Sequence, residues 1–219
     1  MTKEMNMTTF DFKDGNGPVP AHNHPNGGGW VADTATVTDT AYVGPDARVS
    51  GNAQVFGNAL VSDKARVCGD AWVSGDAKVY GKARVSSTAL VFGNACVFHN
   101  ACVSGNAEVF DNACVYGKAK VFGNALVSNK ARVFDNAWVS GDAKVYGKAR
   151  VSGTALVSGY AQVYGDAWVS GTALVYGNAQ VSDNALVYGY AQVCSDARVY
   201  GNARVYGYAE EDMFIEMNG

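Results

Sequence analysis

The sequence predicts an all-β solenoid, and three observations predict it. Valine occupies every sixth position from 31 to 205, which is thirty positions, (205 − 31)/6 + 1, without a gap. Alanine does the same from 35 to 209, again thirty. The residue two after each valine is Gly in 19 of the thirty units and Asp, Asn or Ser in most others. Ala-x-Val puts two small apolar side chains at i and i+2, on one face of an extended segment. A helix would need apolar residues at a spacing near 3.6, which a strict six does not supply. Gly, Asn and Asp tolerate the positive φ of a tight corner. Each hexad is therefore a short strand plus a corner, and it can bury its apolar face only by stacking on copies of itself.

Taken in order, residues 1–30 form an N-terminal non-repeat segment, 31–209 the repeat body, and 210–219 a short C-terminal cap. Thr8-Thr9-Phe10-Asp11-Phe12 has the residues of a short strand with both phenylalanines on one face. Residues 14–30 hold three of the four prolines and the Gly27-Gly28-Gly29 run, and read as a loop leading into the first repeats. Trp30 is expected over the open end of the stack. The first hexads carry Thr and Asp where later ones carry Gly and Asn, as terminal units of solenoids commonly do. After Ala209 an acidic start and apolar middle, Glu210 to Met217, read as a cap that blocks edge pairing, the alternative being a swapped or oligomer-forming tail.

The order Val-x-Gly-x-Ala-x, as in Val49-Ser50-Gly51-Asn52-Ala53-Gln54, resembles the hexapeptide repeat of the left-handed β-helix found in the trimeric acyltransferase superfamily. That resemblance implies three hexads per triangular coil, hence about ten coils of a single-stranded parallel β-helix. It also implies the left hand, against the usual crossover preference. The Gly-Asn-Ala-x-Val runs and the His-Pro-Asn-Gly-Gly-Gly-Trp-Val lead-in further resemble hexapeptide-repeat proteins of phage and prophage genomes, which bring no activity with them.

If eighteen residues make a coil, outward residues eighteen apart share a column. Phe56, Phe92, Phe110, Tyr146 and Tyr164 fall in one such column, and Tyr80, Phe98, Tyr116 and Phe134 in another. Aromatic stripes of this length read as an oligomer interface, a homotrimer by the resemblance. The alternative is that Tyr and Phe are simply good strand residues. The third column is mostly small and polar, with Arg48, Arg66 and Arg84 stacked beside its start. Residues 69–91 recur at 135–157 with three differences, an offset of 66 residues that is not a whole number of coils. Trp72 and Trp138 should thus face different ways, so the body reads as scaffold rather than as a tuned pocket.

For chemistry the candidates are few. A superfamily acyltransferase uses histidine as general base, and the catalytic candidates are His99, at a corner usually held by Gly, and His22. His22 and His24 form a His-x-His pair that could turn to one side, too few ligands for a metal site. A small-molecule site is expected, if anywhere, at His22, His24, Asn26, Gly27, Gly28 and Trp30. Cys96 and Cys114 should stack on adjacent coils as a thiol ladder. Net charge is −3 and pI about 5.5, which argues against a nucleic-acid binder. No apolar leader or membrane-length run is present, and five cysteines are an odd number, so a reducing cytoplasm is expected. The reading is a non-enzymatic structural or interaction protein without a cofactor, meeting a protein partner or small ligand. The alternative is an acetyl-CoA-dependent acyltransferase. Ice or polysaccharide binding on a flat face ranks third, since no ranks of Thr repeat along a column.

Overall fold

The computed structural model describes residues 8–207 and the backbone of Phe214–Glu216. Among them there is no helix: the body is a succession of short strands, from Thr36–Val37 to Arg198–Val199 two residues long and ending in a repeat valine except for Leu186–Gly189, joined by tight corners. Every parallel pair in the body joins residue i to residue i+18, as in Trp72↔Leu90 and Leu90↔Glu108. Three hexads therefore complete one coil, and the strands align into three walls of 12, 10 and 11 strands. The protein is a parallel β-solenoid of about ten turns, as the hexad period predicts.

Along most of each wall a hexad passes three backbone hydrogen bonds to the next coil. Leu90 N donates to Ala107 O at 2.9 Å, Phe92 N to Val109 O at 3.0 Å and Asn94 N to Asp111 O at 2.7 Å. Inside, valines and alanines from 41 to 187 are sealed at 0–1% exposure. The interior is narrow enough for these two side chains alone, which is why neither rank admits a larger residue there. The alanine rank loosens at the ends, where Ala35 is half-buried and Ala197 exposed.

Corners decide the coil geometry. Every sixth residue from 51 to 201 has a positive φ, 26 consecutive corners by (201 − 51)/6 + 1. Eighteen are Gly and eight are not. A Cβ on Gly153 would stand 2.6 Å from Gly171 O of the next coil, so close stacking as well as φ demands glycine there. Where Asp stands instead, its carboxylate offsets the strain by accepting the next corner's N–H: Asp63 from Gly81 at 2.9 Å, Asp183 from Gly201 at 3.0 Å. Side-chain ladders run along the corners, one joining Thr88, Asn106, Asn124 and Asp142 in succession.

The N-terminal segment departs from the expected loop. Strand β1 (Thr9–Asp11) pairs antiparallel with β2 (Pro18–Asn23), and β2 pairs antiparallel with β3 (Trp30–Ala32), the first strand of the first wall. Two prolines do not prevent β2. Ala21 supplies the N–H that reaches Thr8 O, while Pro20 needs only its carbonyl, which accepts from Asp33 N. At the far end, Phe214–Glu216 pairs antiparallel with the strand Arg204–Gly207, adding a final strand to the third wall. The start of the expected cap, from Glu210, lies outside the described residues up to position 213.

Candidate functional site

The non-repetitive chemistry concentrates at the N-terminal end. Residues 24–29 turn across the top of the first coil: His24 N donates to Gly29 O, Gly28 N to His24 O, Gly29 N to Val43 O, and Val43 N to Asn26 O, all at 2.8–3.0 Å. The Asn26 amide donates to Ala41 O at 3.0 Å. A Cβ on Gly27 or Gly29 would collide with the Val43 carbonyl. The glycine run is thereby explained by close backbone packing, and this segment, rather than Trp30, covers the third wall's first strand.

Trp30 lies on the outer face of the first wall. Its ring stacks on Phe10 at 4.4 Å, and Phe10 meets Phe12 edge-on at 5.0 Å. Phe12 is fully buried in a small separate core with Ala21 and Ala32. The hairpin thus folds back over the wall, where Arg48 and Arg66 both donate to Phe12 O and the Arg48 guanidinium sits 5.1 Å from the Phe10 ring. Phe10, Trp30, Pro45, Asp46, Arg48, Lys64 and Arg66 enclose a cavity of about 490 Å³. Of the expected ligand residues only Trp30 reaches it. The arginine column is legible from the eighteen-residue spacing, but no sequence signal places Phe10 over it.

The histidines do not converge. Strand β2 stops at Asn23, so His22 and His24 leave it in different surroundings. His22 is exposed, with Nδ1 2.8 Å from Asp33 Oδ1. His24 is 3% exposed, and its Nδ1 is 3.3 Å from the Asn26 N–H. Among the described residues no group of three or more His, Cys, Asp or Glu could hold a metal ion. His99 occupies an exposed corner at φ 59° with its ring edge-on to Phe98 at 4.8 Å, and no described hydrogen bond orients the imidazole.

The aromatic columns form ladders. Tyr80, Phe98, Tyr116 and Phe134 stack face to face with centroids 4.9–5.0 Å apart, and Phe92–Phe110 and Tyr146–Tyr164 repeat this on the second column. Phe56 instead meets Trp72 edge-on at 5.2 Å. These rings are half-buried, and burial pushes the Tyr80, Tyr116 and Tyr146 phenols above their ordinary range. Trp72, Trp138 and Trp168 fall on the second, first and third walls respectively.

On the third wall Cys96 and Cys114 are direct strand neighbours, with Lys78 beyond one and Arg132 beyond the other. The Cys96 and Cys114 thiols reach Asn94 O at 3.8 Å and Asn112 O at 3.9 Å. The neighbouring Cys114 thiol, and to a lesser degree Lys78, pull the Cys96 thiol down to about 6 from an ordinary 9.0 against its partial burial, and the same neighbour relation pushes Cys114 up.

A family profile described as a YdcK beta solenoid repeat matches residues 53–69, 179–195 and 197–210. Those matches cover under a quarter of the chain, and what the geometry shows is the fold, a β-solenoid built on a six-residue repeat. The solved structure of the Arabidopsis UDP-N-acetylglucosamine acyltransferase overlaps this solenoid with a TM-score of 0.34 and 13% identity, over 80% of this chain and 73% of that one. The comparison with curated proteins finds no match. No helix among the described residues is long and apolar enough to cross a membrane.

Proposed function

We propose that this solenoid is a non-enzymatic interaction protein, a rigid rod that assembles through its aromatic ladders and meets a partner or ligand on a wall or at its N-terminal end. The observation that carries the reading is the uninterrupted series of corners from 51 to 201. No loop leaves the body between them, so no part of it closes over a substrate, and none of the three histidines is set beside a nucleophile or oxyanion donor. The half-buried ladders that follow the second and third walls give a second copy flat, largely apolar strips to cover, and a homotrimer would close them. The resemblance to phage-borne repeat proteins extends the proposal to an accessory or host-interaction role in the cytoplasm of an infected cell.

The test combines assembly mass with ligand titration. Light scattering should give three chains per particle, and Tyr116→Glu with Phe98→Glu should give one. Calorimetric titration with acetyl-CoA should show no heat of binding. Saturable binding that His99→Ala or His22→Ala abolishes, with acyl transfer to an amine or hydroxyl acceptor, would replace this reading with the acyltransferase one.

A further inference from the structure

The outward centre of the first wall reads, coil by coil, Trp30, Arg48, Arg66, Arg84, Cys102, Lys120, Trp138. Each is the direct strand neighbour of the next. At about 4.8 Å per coil the cations span roughly 19 Å, with an indole at either end. A second basic column runs beside the first at the preceding corner, where Lys64, Lys82 and Lys118 are all exposed.

Like charges placed directly opposite on neighbouring strands cost stability, yet among the described residues none of these cations has a carboxylate partner. Arg48 and Arg66 are partly spent on the Phe12 carbonyl, whereas Arg84 has no described partner at all. Of the nearby acids, Asp63 holds the Gly81 N–H and Asp70 accepts from Asn52 at 3.0 Å, while Asp46 lines the cavity with Arg48 and Lys64, and Asp11, held chiefly by Lys13, also feels Arg48. In a chain of net charge −3, a cationic strip of this length is a local reversal of sign.

The side chains flanking the arginines on their other side are small, Ser50, Cys68, Ser86 and Ser104, so the strip has an open floor along the rod axis. Lys120 already lies 4.5 Å from the exposed Trp138 ring. At the opposite end Phe10 and Trp30 wall the cavity of about 490 Å³ that Arg48, Arg66 and Lys64 line. The aromatic ladders follow the second and third walls, so assembly through them leaves the arginine column itself free, although Lys82 and Lys118 share a corner with Tyr80 and Tyr116.

The geometry points to an acidic polysaccharide as the occupant: an extended glycan bearing carboxylate or sulfate groups, laid along the first wall from the Trp30 cavity to Trp138. Arg48, Arg66 and Arg84 repeat once per coil, a rise of the same order as the length of one sugar ring, Lys120 follows after the one uncharged coil of Cys102, and indole faces at the ends take the apolar faces of sugars. Nucleic acid fits less well. Its bases want stacking platforms between the charges, and here aromatic rings stand only at the ends. This inference deepens the interaction-protein reading and rests on it only in making a wall the working surface.

The experiment uses the full chain and four probes: polygalacturonate, dextran sulfate, neutral dextran and a single-stranded oligonucleotide of matched charge. Tryptophan fluorescence and calorimetry should show binding of one or both acidic glycans that weakens with added salt, and none of neutral dextran. The two acidic probes distinguish a carboxylate from a sulfate source. Lys82→Glu with Arg84→Glu should weaken binding by about tenfold or more, since two attractions become repulsions. Lys144→Glu, on the second wall, should leave it unchanged. Assembly mass and melting temperature of each variant report whether the rod itself has survived. No binding of either acidic glycan, tighter binding of the oligonucleotide, or equal loss in Lys144→Glu would overturn the inference while leaving the scaffold reading standing.

Discussion

The repeat body and the N-terminal hairpin solve one problem, burial of apolar side chains, in opposite ways. The body spreads the task over Val and Ala ranks in which every side chain meets its own kind one coil away. The hairpin concentrates it in a single aromatic knot around Phe12, latched to the wall by two arginines. A distributed core tolerates the loss of one member but not the enlargement of one. A concentrated core behaves the other way round.

The largest effect should come from breaking the knot. Phe12→Ala removes a fully buried ring, at about 3–5 kcal/mol, and the cost falls on the docking of residues 8–23 rather than on the rod. Hydrogen exchange should show β1 and β2 open while amides near Val109 stay protected. Simultaneous loss of protection in both would show that the two regions fold as one unit.

Next comes enlargement in the body. Ala107→Leu adds three carbons to a site with 0% exposure and should cost about 3 kcal/mol or more. The same change at half-buried Ala35 should cost less than about 1 kcal/mol. Chemical denaturation of both variants checks this, and equal costs would mean that the body is looser than its stacking implies.

How far each region was legible in the sequence follows from the same contrast. Val and Ala at six-residue spacing declare the strands, corners and inward faces because each copy repeats the evidence. The wall positions of Trp72 and Trp138 followed from counting hexads alone. The hairpin is written once, so Pro18 and Pro20 argued for loop, and the pairings that made β2 a strand are long-range. Likewise Arg48, Arg66 and Arg84 could be placed in one column, but the Phe10 ring and Phe12 carbonyl that meet them come from a region with no period to extrapolate.

A smaller effect separates two demands on corner glycines. Gly153→Ala meets both a positive φ and the Gly171 carbonyl, and should cost about 2–3 kcal/mol. Gly201→Ala has nearly the same φ but no described residue within 4 Å, so about 1 kcal/mol of strain remains. Their difference measures the close approach of neighbouring coils, and equal melting shifts would assign the corner's whole demand to φ.

The smallest change in stability should accompany the sharpest change in reactivity. In the Cys96–Cys114 pair the thiolate on Cys96 is favoured by the adjoining Cys114 thiol and by Lys78, so it is the form expected at pH 7 and is lost as pH falls through about 6. Alkylation of Cys96, followed by peptide mass spectrometry, should show that midpoint. Cys114→Ala removes that neighbour and should move the midpoint up towards the ordinary 9.0. The rate at pH 7 should drop by a few-fold, because a more basic thiolate is scarcer but intrinsically more nucleophilic. An unmoved midpoint would mean that Lys78 alone sets the ionisation. The pair would then be two independent thiols that happen to share a wall, and the coil-to-coil coupling seen in the aromatic ladders would not extend to the cysteines.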